Sequence, residues 1–331
     1  MNAPKCTAID YIDFLVASPR AVGGTEAARV QPAQANPPAH DAFTRLLHRL
    51  EPDPATLWAE AAPLVERDRG ILVLDDSTLD KPYAREMGLV TRHWSGKHRQ
   101  VVRGITLLRL LWTDGEALIP VDHRLYDKAT DGLTKNDHSR AVLAEAKARG
   151  FAPACVAFDR WYASLEHLKA VRGHGWRWPT QLKANRLVNP DATGDRSLEH
   201  CTIAATGTRV HLHGSGVIRV FRIVAPDGDT EHRATDDAEL DELARLKYAE
   251  WARGIEHYHR GLKQECGAER AQVRAGRAQR THIGCAIRAF LRFEQHRLVT
   301  GVSWWEAKTS IIREAVWAYL AAPRYALTST A

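Results

Sequence analysis

Apolar and polar positions follow three different rhythms along this chain. Residues 8–16, 40–50 and 51–65 carry apolar side chains at steps of three and four, the spacing of an amphipathic helix. Ser18-Pro19, Gly23-Gly24-Thr25 and the proline-rich stretch 32–38 interrupt them, so the chain opens as a set of short helices. From Gly70 the rhythm changes. Ile71-Leu72-Val73-Leu74 is an unbroken apolar run that ends in Asp75 and Asp76, the pattern of a buried strand with carboxylates at its tip. Residues 101–112 and 117–125 read as two further strands turned by Asp114-Gly115. Asn136 or Asp137 caps a helix running to Gly150. A second apolar run, Ala154 to Phe158, again ends in an acid, Asp159, and is followed by a helix over 164–172 and a strand over 176–183.

Residues 186–237 are rich in Gly, Asp, Thr and His, with short alternating runs at 208–213 and 217–224, and read as a small β-rich insertion. A long helix then begins near Asp237. Leu240, Leu243, Trp251, Ile255, Tyr258 and Leu262 define its buried face, while Arg253, Glu256, Arg260, Lys263 and Gly267 share an adjacent one. One carboxylate therefore stands in a row of cations. Taken alone, the row is explained best by a solvated helix with a Glu256–Arg260 pair worth about 0.3 kcal/mol. Helices over 281–299 and 303–320 complete the chain. The expected organisation is a helical region over 1–65, an α/β core begun over 66–185, the β-rich insertion over 186–237, and the rest of the core with C-terminal helices over 238–331.

Strand, hairpin, helix, strand, helix, strand and late helix is the succession of an RNase H-like mixed sheet with flanking helices. Acids end its first and fourth strands and a third stands on the late helix, places that converge in such a fold. Three carboxylates are hard oxygen ligands suited to two Mg²⁺ ions, one polarising an attacking water and the other the leaving oxygen of an in-line phosphoryl displacement.

Composition narrows the alternatives. With 44% hydrophobic and 26% charged residues, the chain matches an ordinary globular protein that can bury a core. No run of 18 apolar residues could span a bilayer, and the N-terminus lacks a secretory pattern, so the reading is cytoplasmic with no membrane partner. The five cysteines are odd in number and never form C-x-x-C, which excludes a disulfide framework or zinc ribbon. His211-x-His213 and His257-x-His259 have no Cys/His cluster to complete a zinc site. Residues 251–300 hold ten Lys or Arg against four Asp or Glu, so the whole net charge of +6 resides there. A cationic field beside a carboxylate suits a phosphodiester.

LDDSTLDKPYA, FDRWYAS, IEHYHRGLKQECGAERAQVR and THIGCAIRAFLRFE together resemble the DDE transposases of bacterial insertion sequences, the cut-and-paste group whose last acid lies in a Tyr-Arg-Glu-Lys helix signature. The resemblance covers about residues 71–308. The Glu256-x6-Lys263 spacing fits, whereas the signature arginine is replaced by Ala252, with Arg253 one place later and Tyr248 likewise displaced. It implies Asp75, Asp159 and Glu256 as the catalytic, metal-binding triad, with two Mg²⁺ ions for which Mn²⁺ can substitute. Asp76 rivals Asp75, which is preferred because Lys81 then falls where relatives carry a lysine. Lys263, Arg260 and Arg253 are expected at phosphates near the cleavage point. The basic segments 92–99, with Lys97 and Arg99, and 270–280, with Arg270 and Arg274, are expected on the DNA backbone. The first three helices suit a helix-turn-helix presenting Thr44, Arg45, His48 and Arg49, or a plain bundle. Trp176 and Trp178 either hold a flipped base or pack the core. The implied function is DNA transposition, with cleavage at terminal inverted repeats and strand transfer into target DNA by a homodimer. A catalytically inactive DNA-binding descendant and another RNase H-fold nuclease, such as a junction resolvase, are the alternatives.

Overall fold

Successive elements of the computed structural model are α1 (Ala8–Ala17), α2 (Gly24–Arg29), α3 (His40–Arg49), α4 (Pro54–Ala61), β1 (Ile71–Asp80), β2 (Thr91–Ser95), β3 (Gln100–Thr113), β4 (Ile119–Tyr126), α5 (Lys135–Ala148), β5 (Val156–Phe158), α6 (Leu165–Gly173) and β6 (Pro179–Leu182). Then follow β7 (Leu187–Val188), β8 (Arg196–Ser197), β9 (Thr208–Leu212), β10 (Gly216–Val224), β11 (Thr230–Thr235), α7 (Glu242–Gln264), α8 (Gly276–Thr300) and α9 (Trp304–Ala321). The structure describes residues 4–20, 23–33, 36–50, 53–95, 99–127, 130–225 and 228–323. They fall into two compact units, one of Pro54–Thr78 and Thr91–His257, the other of Met1–Asp53, Leu79–Val90 and Tyr258–Ala331.

In the first unit, β1 begins with side chains at 0–3% exposure from Ile71 to Leu74, as an apolar run buried on both faces requires. A sheet of nine strands among the described residues runs β2-β3-β1-β5-β6-β11-β10-β9, with β4 also paired to β3. This is the mixed α/β sheet with flanking helices that the element succession predicts. β1 and β5 are parallel, with Leu72 opposite Val156, Val73 opposite Ala157 and Leu74 opposite Phe158. Carried one residue further, that register sets Asp75 beside Asp159.

The sheet differs from expectation in two places. β2 pairs antiparallel with β3 through Thr91 to Ser95, although its sequence lacks an apolar alternation to announce it. More consequentially, β9, β10 and β11, within the residues read as a β-rich insertion, join the main sheet: β11 pairs with β6 over His232–Leu182 to Thr235–Pro179. The smaller pair β7-β8 forms a two-stranded sheet, with Asn189 and His211 bridging beside it. The cap of α5 also shifts. Thr134 accepts from the Asp137 backbone N–H while the Asp137 carboxylate takes the Thr134 N–H, a reciprocal capping box. At the β3–β4 turn, Gly115 has φ +100, and a Cβ there would stand 2.1 Å from Trp251 Nε1. Only glycine lets that turn meet the helix.

In the second unit, α1 and α3 pack on α8. Phe43, Leu46 and Leu47 are buried, while Thr44, Arg45, His48 and Arg49 are exposed. Lys308 of α9 is buried and donates to the carbonyls of Leu15 and Val16 at 2.9 and 2.7 Å, capping the end of α1. Gly261 of α7 lets Phe290 and Trp304 approach to where a Cβ would lie 2.9 Å away. Tyr258 and Leu262 are buried as the helical spacing predicts, but Leu243, expected on the same face, is 77% exposed. The apolar stripe of α7 therefore does its packing in the C-terminal half.

Candidate active site

One cleft in the first unit takes an acid from β1 and one from the end of β5; Asp75 and Asp76 are not at the strand's tip as the apolar run predicts, because β1 continues past them to Asp80. Its volume is about 600 Å³, and its walls include Asp75, Asp159, Tyr248, Arg253 and Glu256. The two aspartates come from parallel neighbours in register, whereas Tyr248, Arg253 and Glu256 come from one side of α7. Arg253 and Glu256 are three positions apart (i, i+3), so both project from nearly the same helix face.

The electrostatics of the aspartate pair are strained. Burial pushes the Asp75 carboxyl up to about 7, the charges of Asp76 and Asp159 push the same way, and the Arg109 guanidinium and a backbone hydrogen bond at Asp76 oppose them. Asp159 is also raised, first by burial, although backbone N–H groups of Trp161 and Tyr162 hydrogen bond to it and counter part of that shift. Arg109 is completely buried in β3. A charge inside an apolar strand is costly unless compensated, and the Arg109 charge acts favourably on the Asp75 carboxylate.

Asp76, the neighbour on β1, has hydrogen-bond partners of its own, and its charge also acts on both Asp75 and Asp159. The Tyr162 hydroxyl donates to its Oδ1 at 2.5 Å, and the Lys135 ammonium lies 3.1 Å from its Oδ2. That interaction and burial hold the Tyr162 phenol well above its ordinary range. Strand alternation explains the division: consecutive side chains leave opposite faces, so Asp75 lines the cleft and Asp76 turns to Tyr162.

Hard carboxylate oxygens repelling one another in a partly dry site are a donor set that a divalent cation would neutralise. Such an ion needs only one or two carboxylates together with water and substrate phosphates. Among the described residues, however, no three His, Cys, Asp or Glu stand close enough to hold a metal on their own. Asp75, Asp159 and Glu256 line the same cleft.

Residues 30–197 match the DDE superfamily endonuclease family, just over half of the chain. The chain belongs to that family. The matched part of this DDE endonuclease contains Asp75 and Asp159 and ends before Glu256. Its fold is similar to that of a piggyBac transposase solved by cryo-electron microscopy as a synaptic complex with hairpin DNA, with a TM-score of 0.50 and 13% identity, covering 98% of this chain and 74% of that one. No curated protein matches it. Among the described residues, no helix is long and apolar enough to cross a membrane.

The cations foreseen from sequence have separate fates. Arg253 is an exposed wall residue of the acidic cleft. Arg260 and Lys263 lie in the second unit; Arg260 is exposed, but Lys263 is engaged by Glu269 at 2.7 Å. Lys81 is likewise no open contact: it is buried and donates to the carbonyls of Glu269 and Ala271 at 2.6 and 2.7 Å, pinning that segment. Arg270 and Arg274 border a different cleft of about 770 Å³ with Arg20 and Arg85, and Arg270 also donates to the Pro19 carbonyl. Arg99 is exposed in a left-handed backbone conformation, φ 49, while Lys97 lies outside the described residues. Trp176 and Trp178, at 4% and 0% exposure, are core residues and cannot receive a base.

Sequence reasoning missed Arg109, Lys135 and Tyr162, which surround the acids. Arg109 did leave a signal, an arginine within Leu107-Leu108-Arg109-Leu110-Leu111. Lys135 and Tyr162 left none, because their roles depend on how α5 and the turn after β5 pack.

Proposed function

We propose that this chain is a DNA transposase of the insertion-sequence type, which cuts phosphodiesters at its element's ends and transfers the freed strand to target DNA. The observation that carries the reading is the entry of Asp75, Asp159 and Glu256 into one cleft with Arg253. Divalent metal ions, Mg²⁺ or Mn²⁺ and two in number, would supply the charge that activates water and stabilises the leaving oxygen when bound there.

The protein's own part is to position and to balance charge. Asp75 and Asp159, carried by the parallel neighbours β1 and β5, would share the ions, and the Arg109 charge offsets part of the cost of ionising Asp75. Glu256 supplies the third carboxylate from α7, in the place the Tyr-Arg-Glu-Lys signature gives it. Arg253 presents a guanidinium to phosphate oxygens at the cleft, and Tyr248 shares that wall. The displacement of Tyr248 and Arg253 within the signature does not remove them from the cleft. Hydrolysis and strand transfer are both in-line attacks by oxygen on phosphorus, so one site serves both. DNA as the partner is in keeping with the piggyBac structure, a synaptic complex with hairpin DNA, and bringing two element ends together would require a DNA-bound homodimer.

The test uses labelled duplexes carrying the short inverted repeats that flank the gene. With Mg²⁺, the wild-type protein should release a 3′-hydroxyl at the repeat boundary and, given a supercoiled target, join that end to it. Cutting without joining would reduce the activity to that of a nuclease. Binding without cutting under Mg²⁺ and Mn²⁺ would make the chain a non-catalytic DNA-binding descendant.

A further inference from the structure

We infer that the β2–β3 ribbon enters the major groove of duplex DNA and reads base edges there, an inference that rests on the proposed DNA-cleaving function. The strand register pairs Arg92 with Arg103 and Trp94 with Val101. Side chains alternate along a strand, so these four share one face of the ribbon, with the two pairs roughly 7 Å apart along it. The other face is turned inward: His93 Nε2 lies 2.6 Å from the Thr78 hydroxyl of β1, and His93 is half-buried like Val102 opposite it. On the outward face Arg92 is exposed, Val101 is 62% exposed, and Trp94, at 66%, is the most exposed of the chain's ten tryptophans.

For the fold alone this face is a poor choice. Like charges directly opposite one another in an antiparallel pair destabilise it. An aromatic across from a valine supports the ribbon, yet β2 is an edge strand of the sheet, and apolar surface on an exposed edge invites aggregation. Both features become favourable against a surface that is anionic at its walls and partly apolar on its floor. The major groove of B-DNA is about 12 Å wide and admits a two-stranded ribbon, with purine acceptors and thymine methyl groups presented to whatever enters. Arg92 and Arg103 suit guanine O6 and N7, and the Trp94–Val101 pair suits a thymine methyl group. This role differs from the backbone contact expected of residues 92–99, because base contacts carry sequence information and phosphate contacts do not. The ribbon belongs to the same unit as Asp75, Asp159 and Glu256, so it selects the DNA sequence presented to their cleft.

The experiment measures binding by fluorescence anisotropy in EDTA, where cleavage cannot occur, to a labelled duplex of the inverted repeat that flanks the gene. Companion duplexes replace one guanine at a time by 7-deazaguanine, which loses the N7 acceptor but still pairs, or one thymine at a time by uracil, which loses the methyl group. The proteins are wild type, Arg92→Ala, Arg92→Lys and Trp94→Ala. Without DNA, Arg92→Ala should melt no lower than wild type, because it removes one of two facing like charges. One guanine replacement should weaken wild-type binding about fivefold, the lower end of what a bidentate base contact supplies. The same replacement should leave Arg92→Ala and Arg92→Lys nearly unaffected, since lysine lacks the planar fork. One thymine replacement should likewise weaken the wild type and not Trp94→Ala. Wild-type affinity indifferent to every replacement, a guanine or thymine map unchanged in its variant, or a uniform Arg92→Ala defect restored by lysine would each overturn the inference. If the wild type nevertheless cuts the end duplex in Mg²⁺, the proposed function survives that result. A wild-type protein that binds no duplex overturns both.

Discussion

Replacing Arg109 by methionine should destabilise the protein strongly, and most of the loss should disappear when Asp75 is replaced as well. The guanidinium is fully buried and its charge acts on a carboxyl already pushed up to about 7 by burial and by two neighbouring aspartates. Removing one member of a buried charge pair costs roughly 3–5 kcal/mol, largely because the other is left uncompensated. Asp75→Asn removes that remaining charge with little change in shape. Urea unfolding at pH 8 in EDTA, for wild type, both single variants and the double variant, gives the coupling as a double-mutant cycle. We expect a coupling of about 2 kcal/mol or more, with Arg109→Met the least stable of the four. Additive effects within about 0.5 kcal/mol would mean that Arg109 serves the core alone and that the charge balance assigned to the cleft is wrong.

Three further outcomes follow from the same structure. His282 and His167 are buried, and burial lowers each to about 4 from an ordinary 6.5. The unfolded chain then binds more protons between those values, so stability should fall as pH drops from about 6.5 to about 4, by on the order of 3 kcal/mol for each. His282→Gln and His167→Gln should each flatten that acid limb in thermal melts, and a limb unchanged in both variants would refute the assignment. Arg253→Ala should leave the melting temperature within about 1 °C, because the side chain is exposed, while lowering DNA affinity and reducing the salt slope by about one; an unchanged slope would place Arg253 off the phosphates. Lys81→Met should lower the melting temperature by several degrees through loss of its bonds to the Glu269 and Ala271 carbonyls, and an unchanged melting temperature would show that this clamp contributes nothing.

What was legible in the sequence is what local pattern controls. The two runs that end in Asp75 and Asp159 are apolar enough to force buried parallel strands, and their acids follow directly. Helical spacing similarly placed Ile255, Tyr258 and Leu262 in the interior and Arg253 and Glu256 together. Pairing between distant segments was not legible. Nothing in residues 230–235 announces that they join β6 and extend the main sheet, and the polar Thr91–Ser95 does not read as a strand before β3 is there to pair with it. The basic residues were legible as charges but not as contacts: Lys81 and Lys263 are engaged within the protein, which depends on where residues 269–271 lie. Trp161 and Trp178 are indistinguishable as letters, yet one is open to water beside the acids and the other is sealed in the core.

Side-by-side cleavage by four conservative variants tests the central claim most directly, that Asp75, Asp159 and Glu256 together cut DNA. Asp75→Asn, Asp159→Asn, Glu256→Gln and Asp76→Asn should be compared with wild type on the same labelled end duplex in Mn²⁺, with binding measured in parallel. The account predicts that the first three bind DNA as wild type does and lose cleavage by at least about a hundredfold, while Asp76→Asn keeps substantial activity. Cleavage at the wild-type rate by Asp159→Asn or Glu256→Gln would contradict this active site, and loss in Asp76→Asn with activity retained in Asp75→Asn would transfer the first position to Asp76.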